Sequence, residues 1–282
     1  MTRRFRALPP FALLVSVALV AGLAVTTAGF AAPTSAAASG ATTTSTTALN
    51  SVESSILTWI NRDRAARGLR PLRLDLRLAS LADDRAARMA SKNTLSHTAA
   101  GGDFGPLLYS LLGVPSWSWG EDIGWTGYPY GSQAASSLYS MWKQSATHWA
   151  LMMSTRMNYI GVGVAYRSSN HTTWASLVFT ESADHTRPYR RMTGAGRSGT
   201  TIWFSWTGHD VSLQTHTAGL KNFDVEYRVD SGSWRLIRSG TTARSITLSG
   251  RARHHTYYLR VRSRDNRYNL SSYSTSLHVS VP

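Results

Sequence analysis

One stretch decides the fold class: Tyr159-Ile160-Gly161-Val162-Gly163-Val164-Ala165. A second apolar run follows at 174–179, and the two together predict a pair of strands joined by a turn. The residues before them, 50–146, instead repeat apolar side chains every three or four positions, which is the spacing of helices. Helices that precede a small sheet predict an α+β fold, with helices packed on the sheet as a sandwich.

Local signals give the helix ends in this first half. Asn50 and Glu53 form a capping-box pattern at the start of the first helix, and Gly68 is a natural stop. Asp75 can cap a second helix, and a third is predicted from Ser132. The stretch 98–131 between the second and third helices is rich in Gly, Pro, Trp and Tyr, so it is predicted to be a long, functional loop.

The second half has the period of a β-protein. Residues 182–199 are polar and carry four arginines, which predicts a linker. From residue 201 onward, short runs with alternating apolar side chains recur about every ten residues, and this spacing predicts an all-β sandwich. The runs are 201–206, 222–229, 233–238, 245–248 and 256–262.

The N-terminal 38 residues are predicted to be a signal peptide, because arginines precede an apolar stretch and a small-residue cleavage pattern. An uncleaved N-terminal anchor is the alternative. Residues 39–48 contain mostly Ser, Thr and Ala and are predicted to be a disordered tether. No later apolar run reaches membrane-span length, so we expect a secreted protein, extracellular or associated with the cell wall.

Composition narrows the chemistry. The chain has no cysteine, which excludes disulfides, thiolate metal sites and cysteine nucleophiles. Its formal charge is +15, and residues 182–282 contribute +9 of it, with 15 basic and 6 acidic side chains. A basic C-terminal domain suits a cell-wall polymer, an anionic surface or extracellular nucleic acid. The alternative is an ordinary solvated sheet face, on which Arg260, Arg262 and Arg264 would point the same way.

Three residues are candidates for a cleft site: His97, Glu121 and His148. Two imidazoles and a carboxylate suit zinc or another divalent cation, and Glu121 could instead orient an imidazole through its second ring nitrogen. The alternative is a hydrogen-bonded trio that closes the cleft. Ser145 and His148 also have the spacing of a nucleophile and its base, but no nearby acid orients the histidine.

Aromatic side chains crowd the predicted loop: Trp117, Trp119, Trp125, Tyr128 and Tyr130. They would either form a groove for a carbohydrate or lipid, or pack the loop onto the rest of the domain.

Six short motifs between residues 52 and 181 resemble, in order, the CAP superfamily of cysteine-rich secretory, antigen 5 and pathogenesis-related 1 proteins. They are Ile60-Asn61-Arg62-Asp63-Arg64 with Gly68-Leu69-Arg70-Pro71-Leu72, the helix around 78–90, Ser96-His97, Gly120-Glu121-Asp122-Ile123, Trp142-Lys143-Gln144-Ser145-Ala146-Thr147-His148 and Ile160-Gly161-Val162-Gly163-Val164. The resemblance implies an α-β-α sandwich over 49–181 with His97, Glu121 and His148 in its cleft. Eukaryotic members have a second Glu; here Gln144 or Ser145 stands near that place, and Asp122 replaces the usual Asn.

Residues 200–282 resemble a fibronectin type III domain, an immunoglobulin-like sandwich, through Trp206 with Asp210, the Gly232-Ser233-Trp234 turn and the strand 256–262. The two resemblances together imply an exported bacterial CAP (SCP) protein. We expect a non-enzymatic binding module whose cleft takes a divalent metal or a small polar or lipid ligand. The alternative is a metal-dependent hydrolase of peptide, nucleic acid or cell-wall polymer, with Glu121 as base.

Overall fold

A computed structural model describes residues 49–282, so the predicted signal peptide and tether lie outside the described part of the chain. The expected order, an α-β-α sandwich followed by an all-β sandwich, is confirmed. No helix within 49–282 has the length and apolar character needed to cross a membrane.

The first sandwich is built around a four-stranded sheet in the order β1-β3-β4-β2, in which only the β1–β3 pair is parallel. Helices α1, α5 and α6 cover one face, and α2 with the short α3 and α4 covers the other. The elements are α1 (Ser51–Ala65), β1 (Arg73–Leu74), α2 (Leu76–Lys92), α3 (His97–Ala100), a 3₁₀ turn (Gly105–Leu107), α4 (Leu108–Leu112), β2 (Ser116–Thr126), α5 (Ser132–Gln144), α6 (Ala146–Met152), β3 (Tyr159–Arg167) and β4 (Thr172–Ser182).

The predicted helix starts are confirmed. The Asn50 side chain accepts from the N–H of Glu53, and the Glu53 side chain accepts from the N–H of Asn50, which completes the capping box. Asp75 caps α2, α5 begins at Ser132, and Gly68 lies beyond the end of α1 with a left-handed φ of 69°. The strands predicted at 159–165 and 174–179 are β3 and β4.

The prediction of a loop over 98–131 is wrong for much of its length. It contains α3, α4 and the eleven-residue strand β2, which pairs antiparallel with β4 along its whole length. Glycine and serine at alternate positions of β2 hide its strand character. They are small because helices pack against that face: a Cβ at Gly124 would lie 2.4 Å from Met141 Cε.

The second sandwich packs a three-stranded sheet, β5-β6-β9, against a four-stranded sheet, β11-β10-β7-β8. Its strands are β5 (Tyr189–Ser198), β6 (Thr201–His209), β7 (Leu220–Val229), β8 (Arg235–Thr241), β9 (Ser245–Leu248), β10 (His255–Asp265) and β11 (Leu277–Val281). Alternation holds as predicted: Ile202, Phe204 and Trp206 are buried on β6 while their neighbours are not.

The linker predicted over 182–199 is also wrong, because residues 189–198 are β5, the first strand of this sandwich. Gly194 and Gly196 give the segment its loop-like composition. The ring of Trp203 on β6 occupies the space beside them, and a Cβ at Gly196 would lie 2.6 Å from it. Glycine there makes room for a neighbouring ring.

The two sandwiches share a packed junction. Leu213, on the segment between β6 and β7, is buried in a cluster with Leu78, Phe104 and Tyr159 of the first sandwich. Beside it, Asn158 Nδ2 donates to the carbonyls of Ser182 and Thr215, at 2.7 and 3.1 Å. The second sandwich thus supplies part of the first one's core.

Candidate functional site

Glu121, in the middle of β2, has a buried side chain whose carboxylate contacts three other residues. Arg85 on α2 donates to both oxygens, at 2.5 and 2.7 Å, and Ser176 on β4 donates to Oε1 at 2.7 Å. His97 Nδ1 lies 2.7 Å from Oε2. A carboxylate has about four acceptor positions, and these contacts use them all.

The charge state of Glu121 follows from these contacts. Burial alone would raise its pKa, but the hydrogen bonds from Arg85 and His97 outweigh it and hold the pKa below its ordinary value. Arg85 is itself buried, with a side chain only 4% exposed, and its guanidinium lies 4.9 Å from the ring centre of Phe104. Glu121 and Arg85 therefore form a buried, bidentate ion pair.

His97 is positioned by the start of α3. The hydroxyl of Ser96 accepts from the N–H of Ala99 at 3.0 Å and caps this short helix, which places the His97 ring over Glu121. The His97 side chain is 43% exposed. With Nδ1 held by Glu121, its Nε2 has no hydrogen-bond partner among residues 49–282.

His148 lies on α6 and does not bond to the other two members of the predicted trio. Its Nδ1 is 2.7 Å from Ser145 Oγ, so the two residues with nucleophile-and-base spacing are in contact. Burial, and then the charge of His97, lower the pKa of His148, which keeps the imidazole neutral near pH 7. Gly120 lets α6 approach β2, because a Cβ there would lie 2.9 Å from Leu151 Cδ2.

The structure thus joins His97 to Glu121 and places His148 within electrostatic range of His97. The three do not bring ligand atoms within 4.8 Å of one another; in the described part of the chain only Asp184, Asp210 and Asp265 do so. Those aspartates lie at the junction, and each accepts from backbone N–H groups, such as those of Thr186, Gly219 and Asn269. Burial, and then the charge of Asp184, raise the pKa of Asp210.

Asp122, which replaces the Asn expected from the resemblance, is buried on the opposite face of β2 from Glu121. Burial, and then the charge of Glu121, raise its pKa well above the ordinary value. This shift favours the protonated, neutral carboxylic acid, which is close in shape and charge to the amide that it replaces.

The tryptophans of the aromatic set pack against neighbouring side chains, as one of the two alternatives expects. Trp117 stacks on His216 at 4.0 Å, Trp119 donates to Asp103 at 3.0 Å, and Trp125 stacks on Trp174 at 5.8 Å. Each of the three tryptophans nevertheless stays exposed. Trp119 alternates regularly with Glu121 along β2 and shares its face, whereas Trp117 lies at a register shift between Ser116 and Ser118 and contacts His216 at the junction.

Sequence reasoning missed Arg85 and Ser176. Arg85 could have been found from its position, since it lies on the same helical stripe as the buried Ala82, Ala86 and Met89. A charged residue within an apolar stripe is rarely buried unless it is paired. Ser176 gives no such signal, because a serine inside an apolar strand is common.

Residues 57–180 match the sequence model of the cysteine-rich secretory protein (CAP) family. An extracellular SCP-domain protein from Bacillus anthracis is 21% identical, with a TM-score of 0.38, over 46% of this chain and 40% of its own. An outer surface protein from Borrelia burgdorferi is 16% identical, with a TM-score of 0.40, over 46% of this chain and 92% of its own.

For the second sandwich, an Fn3-like protein from Clostridium thermocellum is 22% identical, with a TM-score of 0.26, over 34% of this chain and 96% of its own. The chain spans only about 40% of the length of the Bacillus protein. No curated protein sequence matches the chain.

Proposed function

We propose that this chain is an exported bacterial binding module, because residues 57–180 match the model of the cysteine-rich secretory protein (CAP) family. Its cleft at His97, Glu121 and His148 takes a divalent metal ion or a small polar or lipid ligand. Its basic β-sandwich holds the protein against a cell-wall polymer or another anionic surface, since residues 182–282 carry the larger share of the charge.

The observation that carries this proposal is the saturation of Glu121. Arg85, Ser176 and His97 take all of its acceptor positions. A general base needs a free lone pair within reach of the proton that it removes. Glu121 is thus suited to holding His97 in place, which favours binding over hydrolysis.

A metal ion fits the cleft only in part. Glu121 does not fit as a ligand, but it fits as the partner that orients His97, since metal-binding imidazoles commonly donate their other N–H to a carboxylate. With Nδ1–H facing Glu121, Nε2 of His97 carries the free lone pair, and neutral His148 supplies a second imidazole. A bound zinc ion would act there as a Lewis acid and carry water in its remaining positions.

An organic ligand would contact the exposed tryptophan rings of β2. Trp117 and Trp119 each pack one side of the ring on the protein and leave the rest exposed. Rings held in this way contribute apolar contact at low entropic cost. Because Trp119 and Glu121 share one face of β2 and Glu121 contacts His97, a molecule bound on the Trp119 ring would extend its polar end toward the imidazole.

Zinc calorimetry tests the metal proposal. We expect wild-type protein to take up zinc, and the double variant His97→Ala, His148→Ala to lose that uptake. His209→Ala is the matched control, because His209 is exposed at the end of β6, far from α3 and α6 in the chain. No heat from wild type, or equal heat from wild type and double variant, rejects metal binding in the cleft.

The hydrolase alternative has its own test. Purified protein is assayed on panels of peptides, DNA and peptidoglycan, with and without a chelator. We expect no chelator-sensitive turnover. Turnover that disappears with the chelator and in Glu121→Gln would overturn the binding-module proposal in favour of the hydrolase.

A further inference from the structure

The outer face of the β11-β10-β7-β8 sheet carries guanidinium groups interleaved with aromatic rings. We call this set the arginine ladder: Arg228, Arg260, Arg262 and Arg264 with Trp234, Tyr258 and Tyr273. The Arg228 guanidinium lies 4.5 Å from the ring centre of Tyr258 and 4.9 Å from that of Trp234. The Arg260 guanidinium also contacts Trp234 and lies 4.1 Å from the centre of its ring. Stacking on aromatic rings therefore holds the guanidinium groups of Arg228 and Arg260 in place.

Three of the four arginines have an acidic partner. Arg260 pairs with Glu226 at 2.7 Å, and Arg262 and Arg264 pair with Asp224 at 3.0 and 3.3 Å. The strand register explains the pairing, because Glu226 stands opposite Arg260 and Asp224 opposite Arg262. Three guanidinium groups thus share two carboxylates and the fourth, that of Arg228, has none, which leaves positive charge in excess on this face.

Arg228 is the exception. Tyr258, not an acid, stands opposite it on β10. Among residues 49–282 no carboxylate pairs with Arg228 and no acceptor bonds to it, and its Nε is fully buried without a partner. Buried charged donors are normally paired. Arg228 is therefore a fixed, half-buried cation that lacks an anion.

The shape of the site limits what can fill it. Two rings contact the guanidinium, so an anion has to approach the nitrogens at its edge, where two N–H groups can bind two oxygens side by side. Along β10, Arg260, Arg262 and Arg264 follow at steps of about 7 Å on the same face. A linear polymer with regularly spaced anionic groups matches this row.

We propose that Arg228 is the anchoring residue of a binding site for a phosphodiester polymer on this sheet face. A phosphodiester always carries its charge at neutral pH and presents two free oxygens to the guanidinium edge. The inference rests on the proposed attachment of the β-sandwich to an anionic surface, and it names the residue and the ligand chemistry.

The experiment uses the full chain and calorimetry with a synthetic oligo(glycerol phosphate). Arg228→Gln removes the charge but keeps a long side chain to fill the space between the rings. Arg267→Gln is the control with the same change in net charge, since Arg267 is exposed beyond β10 and its side chain makes no hydrogen bond or ion pair within 49–282. We expect about tenfold weaker binding for Arg228→Gln and less than about twofold for Arg267→Gln.

The outcomes separate the inference from the function on which it rests. Absence of wild-type binding to any anionic polymer would reject both. Equal losses in the two variants would reject the Arg228 site and leave a general attraction of the basic domain. If polyglutamate binds as tightly as the phosphate oligomer, the site does not select phosphodiesters and that part of the proposal is rejected. If inorganic phosphate binds as tightly as the oligomer, the proposal of a polymeric ligand is rejected.

A second measurement avoids the variant's own stability. In wild-type protein with ¹⁵N-labelled arginine, the Nε–H resonance of Arg228 should shift as oligomer is added, while that of Arg267 stays in place. Arg228→Lys, which keeps the charge without the planar fork, should bind less tightly than wild type. An unmoved Arg228 resonance at saturating oligomer would overturn the proposal.

Discussion

Among single residues, Arg85 does most to shape the cleft, because it is the cation that keeps Glu121 ionised inside the protein. The pair is buried on both sides, and the carboxylate in turn holds His97. A buried pair of this kind adds little stability compared with apolar packing, but losing one member is costly because the other charge remains.

Arg85→Met should therefore lower the free energy of unfolding by about 3–5 kcal/mol, measured by denaturant titration. The double variant Arg85→Met, Glu121→Leu should lose less than the single one, since no buried charge is left unpaired. Arg88→Met is the control: Arg88 lies on the same helix in an exposed pair with Asp84, and its change should stay within about 0.5 kcal/mol. A double variant less stable than Arg85→Met would contradict the argument.

The lowered pKa of His148 predicts a pH dependence. Below its ordinary pKa of 6.5, the unfolded chain takes up a proton that the folded protein resists, so acidification favours unfolding. Wild-type protein should lose stability as the pH falls below 6.5, and His148→Gln should lose less over the same range. Equal slopes for the two proteins would refute the prediction.

NMR titration of the His148 ring gives a direct check of its cause. His97→Gln removes the neighbouring charge, so the pKa of His148 should rise, but only part of the way, because burial is the larger cause. A pKa that stays unchanged in His97→Gln would show that His97 has no influence on it.

At the scale of elements, the sequence predicts helices better than edge strands. Asn50 and Asp75 cap α1 and α2, and α1, α2 and α5 all have apolar residues at helical spacing, so these signals can be read from neighbouring residues. The glycines of β2 make room for Met141 and Leu151, which lie far away in sequence, and those of β5 make room for Trp203 on the following strand. These glycines give both strands the composition of a loop. No local pattern reveals a distant side chain.

The candidate site likewise depends on contacts between residues that are distant in sequence. His97 and Glu121 are brought together as the resemblance implied, but the role of Glu121 depends on Arg85 and Ser176 from two other elements. Residue types alone suggest a three-ligand metal site. Only the tertiary contacts reveal that the carboxylate is already saturated.

The contact between α2 and β3 gives a prediction at this scale. A Cβ at Gly163 would lie 2.1 Å from backbone atoms of Ala82 and Asp83, so Gly163→Ala must push α2 off the sheet and move Arg85 with it. We expect a loss of about 3 kcal/mol or more in denaturant unfolding, together with a shift of the His97 ring signals in NMR spectra.

Gly127→Ala is the matched control, because a Cβ there would have no neighbouring atom within 4 Å and the φ of Gly127 is not positive. Its stability should stay within about 0.5 kcal/mol of wild type. If Gly163→Ala were equally harmless, the close approach of α2 to β3 would have to be wrong.

At the scale of the whole molecule, the two sandwiches form a continuous packed body. Leu213 reaches into the first core, Arg70 N–H donates to Gln214 at 2.8 Å, and His216 lies between Trp117 and Glu181. Removal of the second sandwich would therefore expose apolar surface of the first, so domain deletion is a poor way to divide their functions.

Leu213→Ala tests this coupling. It should lower the stability of the first sandwich by about 2–5 kcal/mol although the residue belongs to the second, and protection of β3 amides from hydrogen exchange should fall. Leu236→Ala, at an exposed position on β8, should change little. A loss of protection confined to β6 and β7 would contradict the coupling.

The contact at Leu213 also has a mechanical consequence. The arginine ladder would hold the second sandwich on a surface. A force on the first sandwich would then be transmitted to the second through the packing of Leu213 and the hydrogen bonds beside it. The cleft would then keep one tilt and one height above that surface, which limits its reach to molecules arriving at that level.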